Sequence, residues 1–130
     1  MRVVLDASAL LALLNAEPGP GVITEAVPEA AISAVNLSEV VAKLAEGGMP
    51  EGAIREALDG LGLDIMAFDA QQTYTAGLLR PLTRSLGLSL GDRACLALGL
   101  KLRYCVLTVD QDWATLDLGQ ALELDVKLVR

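Results

Sequence analysis

Two lone aspartates in this chain stand where apolar runs end. Val3-Val-Leu5 hands over to Asp6, and Cys105-Val-Leu-Thr-Val109 hands over to Asp110. In open α/β sheets ligands bind just beyond the carboxyl ends of parallel strands, so a charge left at that seam is a candidate site residue. Histidine is absent, which removes serine–histidine triads, imidazole zinc ligation and imidazole acid–base relays. Chemistry in this chain must therefore run on carboxylates, alone or through an oxygen-preferring cation such as Mg²⁺ or Mn²⁺.

Each acid also has a structural role open to it. Asp6 can cap the helix that follows, its oxygen accepting from the free amides of the first turn. Glu39 projects near Asn36 and Lys43 and away from Leu37, Val40, Val41 and Leu44, which suits a solvated face with a Glu39–Lys43 pair or the border of a polar cleft. Asp92 lies in Leu90-Gly-Asp-Arg-Ala-Cys-Leu-Ala-Leu-Gly-Leu100, apolar on nearly every side, with no cation three or four residues away. An unpaired carboxylate there would be costly to bury and would want a cation. Ser89 three positions earlier offers a capping box as the alternative. Asp110 can cap a helix from Gln111 to Leu116, and Asp112 is a surface residue or one further carboxylate.

These acids hang on a strand–helix alternation. Periodicity and punctuation predict strands over Arg2–Leu5, Ala31–Ser33, Leu63–Met66, Cys105–Val109 and Val126–Val129. Helices are predicted over Ala7–Asn15, Val22–Val27, Val35–Glu46, Pro50–Leu58, Ala70–Leu79 and Ser89–Arg103, with a loop at Pro18-Gly-Pro-Gly21 and Pro81 ending or kinking the fifth helix. Strands spaced by helices predict an α/β fold: a central, mainly parallel sheet in a three-layer α/β/α sandwich. With 130 residues, 53% of them apolar and 21% charged, the chain reads as a single domain over residues 1–130. Mean hydropathy is positive, yet a transmembrane helix needs about 20 apolar residues in a row. Asp6, Asn15, Glu17, Lys43 and Glu46 interrupt the longest candidates. No secretory leader is read at the start, and the expected location is cytoplasmic. Cys95 and Cys105 are expected as buried free thiols.

Four stretches taken together resemble a PIN-domain protein of the VapC toxin type. They are Val3-Val-Leu-Asp-Ala-Ser-Ala-Leu-Leu-Ala12, Ile32-Ser-Ala-Val-Asn-Leu-Ser-Glu-Val40, Leu88-Ser-Leu-Gly-Asp-Arg-Ala-Cys-Leu-Ala97 and Val106-Leu-Thr-Val-Asp-Gln-Asp-Trp113. The resemblance implies a PIN-like sandwich whose acidic quartet is Asp6, Glu39, Asp92 and Asp110, gathered around Mg²⁺ or Mn²⁺. It places Ser8 and Thr108 at positions that help hold a bound water or a carboxylate, their ordinary roles being a helix-start hydroxyl and a strand residue. Asn36 falls at a polar position beside the cleft, or else caps a helix start. The implied reaction is hydrolysis of RNA phosphodiesters to a 5′-phosphate and a 3′-hydroxyl, by water and without a covalent enzyme intermediate. The implied partners are a second copy of the chain and a VapB-like antitoxin that holds the toxin inactive.

A net charge of −7 is unusual for an enzyme acting on RNA, since nucleic-acid binders ordinarily present basic surfaces. Two divalent cations would offset four of those charges, and the weak long-range attraction left over predicts narrow RNA preference. Arg80, Arg84 and Arg93, with Lys101 and Arg103, are the candidate phosphate contacts or else ordinary surface charges. A non-catalytic or RNA-processing PIN-like metal- or protein-binding module is the alternative function. A receiver-type signalling domain lacks its acidic pair, because Ala7-Ser8 follows Asp6, and lacks the lysine after Val109. A phosphatase of the Asp-x-Asp type fails at Ser8.

Overall fold

The computed structural model describes residues 2–15, 21–115 and 124–129. Five short strands, β1 (Val3–Leu5), β2 (Ala31–Ser33), β3 (Asp64–Met66), β4 (Cys105–Thr108) and β5 (Val126–Leu128), form one sheet in the order β3-β2-β1-β4-β5. Every neighbouring pair is parallel, with Val4 opposite Ala31 on one side and Val106 on the other. The helices are α1 (Ala7–Leu14), α2 (Gly21–Ala26), α3 (Ala34–Glu46), α4 (Glu51–Asp59), α5 (Ala70–Leu78), α6 (Arg80–Thr83) and α7 (Leu90–Leu102).

The strands alternate between two apolar layers. Val4, Ala31 and Val106 pack with Cys95, Leu96 and Leu98 of α7 on one face. Val3, Leu5 and Leu107 pack with Ala9, Ala12 and Ile23 of α1 and α2 on the other, where Ile32 joins Leu10, Val40, Ile54 and Leu58. The central strands β1, β2 and β4 are almost wholly buried and read as continuous apolar runs, which contributes to the positive hydropathy of the chain. Gly99 lets α7 come close to β4: a Cβ there would lie 2.6 Å from Val106 Cγ2. No helix among the described residues is long and apolar enough to cross a membrane.

Several boundaries differ from expectation for local reasons. The fifth helix stops at Leu78, and Pro81 opens the separate short α6, where a missing N–H costs nothing. Ser33, not Asn36, caps α3, accepting from Val35 N at 3.2 Å; Asn36 is buried within the helix. Gln111–Thr115 is a 3₁₀ turn rather than an α-helix, and Leu116 lies outside the described residues. The same is true of Pro18, Gly19 and Pro20, while Gly21 begins α2. Both cysteines are free, Cys95 buried and Cys105 only partly so.

Candidate active site

The sheet order changes direction at β1, whose neighbours β2 and β4 are reached by crossovers in opposite senses. The crevice at such a switch point lies between the carboxyl ends of β1 and β4. Asp6 leaves β1 there and is 4% exposed. Its Oδ1 accepts from Ala9 N at 2.8 Å, which makes it the cap of α1. Thr108 Oγ1 donates to Oδ2 at 2.6 Å, and Ser8 Oγ lies 2.8 and 2.9 Å from the two oxygens. Each hydroxyl has one proton and both point at the carboxylate. The 3.2 Å approach of Ser8 Oγ to Thr108 Oγ1 is therefore a side effect of their shared acceptor. Burial pushes Asp6 up to about 6 from an ordinary 3.8, and the Asp92 charge adds to the rise. The hydrogen bonds from Thr108, Ala9 and Ser8 work against that rise.

The end of β4 is tied to the same cluster. Thr108 Oγ1 accepts from Asp110 N at 3.0 Å, and Ser8 Oγ accepts from Val109 N at 3.3 Å. Asp110 Oδ1 in turn accepts from Asp112 N at 2.9 Å, a turn that holds the partly buried Asp110 while Asp112 stays exposed.

The other two acids come from α3 and α7. Asn36 Nδ2 donates to Glu39 Oε1 at 3.0 Å and to Gly91 O at 2.9 Å, joining the helices. Asp92 is next in the chain, and here the sequence expectation needs correction. The Asp92 carboxylate is only partly buried and is not unpartnered, because Ser89 N donates to its Oδ2 at 3.0 Å and Ser89 Oγ accepts from Asp92 N at 3.1 Å. The apolar flanks belong to residues 94–99, one turn deeper. Burial pushes the Cys95 thiol well up, and the charges of Asp6, Asp92 and Glu39 push the same way.

Among the described residues the ion pairs are Arg55–Glu51 and Lys101–Asp69; neither involves the quartet, and Glu39 does not pair with Lys43. Carboxylates that share one end of a sheet without a protein cation are suited to a hard divalent ion in both charge and donor type. No three of the described carboxylates are already drawn together as a metal cage. Oxygen donors of this type suit such an ion, and Asp6 is already oriented by its hydrogen bonds.

The sequence model of the PIN domain matches residues 3–118. The chain belongs to the PIN domain family. Its fold is shared with chains in VapBC2 from Rickettsia felis bound to a promoter DNA fragment (TM-score 0.73, 17% identity, 100% of each chain covered). It is also shared with DNA-bound VapBC from Salmonella typhimurium (0.75, 13%, 100% of this chain and 99% of that one). VapBC-1 from nontypeable Haemophilus influenzae is similar as well (0.71, 15%, 98% of each). No curated protein sequence matches the chain.

In this PIN domain the arginines expected at phosphate are placed unequally. Arg93 is partly buried and donates from Nη1 to Ala76 O at 3.0 Å, bracing α7 against α5. Arg80 reaches Leu88 O at 3.4 Å, and Arg84 is exposed. One residue of the site was not visible in advance. An added Cβ at Gly91 would lie 2.6 Å from the Glu39 carboxyl carbon, so the acid of α3 rests on the bare backbone of α7. A glycine directly before an acid was the only sign of this in the chain.

Proposed function

We propose that this PIN domain is a Mg²⁺- or Mn²⁺-dependent endoribonuclease, the toxin of a type II toxin–antitoxin pair, acting in the cytoplasm as a single domain. The observation that carries the reading is the buried Asp6 at the β1–β4 crevice, held by Ser8, Thr108 and the α1 amide, with Asp92 close enough to raise its pKa. Asp6, Glu39, Asp92 and Asp110 are the residues assigned to the cation. When bound, a divalent cation supplies what carboxylates lack: positive charge against the phosphodiester oxygens and a lower pKa for water. Thr108 and Ser8 keep Asp6 in one orientation and favour its ionised form at neutral pH. Asn36 holds Glu39. Asp110 is fixed through its own backbone by Thr108. The reaction assigned is attack of water at phosphorus, with the 3′ oxygen leaving, so that the products are a 5′-phosphate and a 3′-hydroxyl. Arg80 and Arg84 are assigned to flanking phosphates; Arg93 is left to its α5 contact.

The partners assigned are RNA, a VapB-like antitoxin and a second copy of the chain. The matched toxin–antitoxin complexes support the antitoxin. A groove of about 520 Å³ between α3, α4 and the free edge of β3, lined by Leu37, Val41, Met49, Ile54, Leu58 and Ile65, can take an apolar segment. Tyr74, Leu78 and Leu82 form an exposed stripe at helical spacing on α5 and α6, suited to a second copy.

The test is induced expression with and without the product of the neighbouring small gene, with RNA ends mapped for wild type, Asp6→Asn and Asp92→Asn. New 5′-phosphate ends in the wild type alone, suppressed by the neighbour, are expected; identical ends in all three overturn the toxin reading. A binding-only PIN module is the second reading, favoured by acids that are not drawn into a cage. Mn²⁺ binding by purified protein that leaves varied RNAs intact would select it.

A further inference from the structure

Support for the acids is unequal. Asp6 is buried and fixed by three donors, whereas Glu39 sits at an exposed position of α3, where a long side chain ordinarily samples several rotamers. Two residues outside the acidic quartet converge on it.

The first is Asn36, 1% exposed, whose Nδ2 bridges Glu39 Oε1 and Gly91 O. Both partners are acceptors, so the amide cannot be turned over without setting Oδ1 against two oxygens. Oδ1 is itself buried and has no partner among the described residues. An unsatisfied acceptor is destabilising, and the residue tolerates it in order to place two donors where the acid and the α7 backbone need them. The second is Gly91. A Cβ there would lie 2.6 Å from both Cδ and Oε2 of Glu39, closer than real Cβ atoms approach anything. Its φ is not positive, so backbone conformation does not call for glycine, and in a helix glycine is worse than alanine. Glycine leaves room for the carboxylate in its present seat; a Cβ would push this free end of a flexible side chain out of it.

We infer that Asn36 and Gly91 are positioning residues that clamp the Glu39 carboxylate onto the first turn of α7, beside Asp92, and so set the separation between the α3 and α7 acids. The consequence for cation binding rests on the proposed function; the clamp does not.

A double-mutant cycle on the full chain tests it, using Gly91→Ala, Glu39→Ala and the pair, read first by thermal unfolding without metal. Gly91→Ala lowers the Tm when Glu39 is present. In the Glu39→Ala background it raises the Tm by a few degrees, because the space is vacated and alanine's helix preference shows through. If Gly91→Ala fails to fold, recovery of folding by adding Glu39→Ala is the same result in stronger form. Equal Tm shifts in the two backgrounds, or no recovery, overturn the clamp. Mn²⁺ titration by calorimetry then reads the second half. Gly91→Ala and Asn36→Ala each weaken binding at least tenfold in the wild type and change nothing further once Glu39 is alanine. Additive losses overturn the positioning role. A wild type that binds no Mn²⁺ while the Tm effect still reverses sign defeats the metal-nuclease reading and leaves the clamp intact.

Discussion

Thr108 Oγ1 donates to Asp6 Oδ2 across 2.6 Å although the two residues are 102 positions apart in the chain. The same oxygen accepts from Asp110 N, so one hydroxyl joins the ends of β1 and β4 and serves an acid from each. Thr108→Val keeps the shape and removes both bonds. The expected loss is about 2 kcal/mol in urea unfolding, the range for a hydrogen bond to a charged group plus a stranded amide. Because the Thr108 bond lowers the Asp6 pKa, the pH midpoint of Mn²⁺ binding moves upward in the variant; an unmoved midpoint rejects the coupling.

The pH dependence of stability has a defined sign. In the metal-free protein Asp6 titrates at about 6 against an ordinary 3.8, so the folded state holds a proton that the unfolded chain has already released. This contribution is full below about pH 4, falls as pH rises through 4 to 6, and is flat above, a total on the order of 3 kcal/mol. Subtracting the Asp6→Asn profile from the wild-type profile isolates it. A difference that rises with pH in that window contradicts the assignment.

Ser89 and Asp92 separate capping from chemistry. Ser89→Ala loses the cap of α7 and costs about 1 kcal/mol, with faster hydrogen exchange at residues 90–93. Asp92→Asn retains an acceptor for Ser89 N, so its Tm stays near that of the wild type while RNA cleavage falls about a hundredfold or more. Equal effects of the two variants on cleavage would reduce Asp92 to a helix cap.

Gly99→Ala tests the close approach of α7 to the sheet. The new methyl meets Val106 Cγ2 at 2.6 Å and Leu124 Cδ1 at 3.0 Å, an overpacking expected to cost about 1–3 kcal/mol. Trimming Val106 to alanine in the same chain recovers part of it in chemical denaturation.

Leu78 is 73% exposed, between Tyr74 at 71% and Leu82 at 56%. If this stripe joins two copies, Leu78→Glu yields monomers by analytical ultracentrifugation at concentrations where the wild type sediments as a dimer. A dimer that survives the substitution moves the interface elsewhere.

The parallel sheet and its layers were legible because β1 and β4 are short, almost wholly buried apolar runs, and because helices such as α1 and α7 begin at recognisable caps. Asp6 and Asp110 were legible for the same reason: a charge at the end of an apolar run has few places to go. Asp92 was read as an unpaired buried charge with a Ser89 capping box as the alternative, and the box forms; periodicity treats a helix as uniform along its length, whereas the first turn of α7 emerges partly into solvent. Arg93 was read as a phosphate contact or else a surface charge; its guanidinium turns inward to Ala76 O, a contact set by the packing of α5 on α7. The seat of Glu39 on Gly91 depends on how two helices pack that bring together residues 52 positions apart, which no local pattern encodes.

The strand order also dictates when the crevice comes into existence. β1 leaves the ribosome about a hundred residues ahead of β4, and one flank of it stays open until Cys105–Thr108 emerge and pair with Val3–Leu5. Translation proceeds from the N-terminus, and domains fold as their parts become available. Three of the acids are therefore synthesised well before Thr108 can orient Asp6, and a product of interrupted translation that stops short of β4 has carboxylates but no assembled centre.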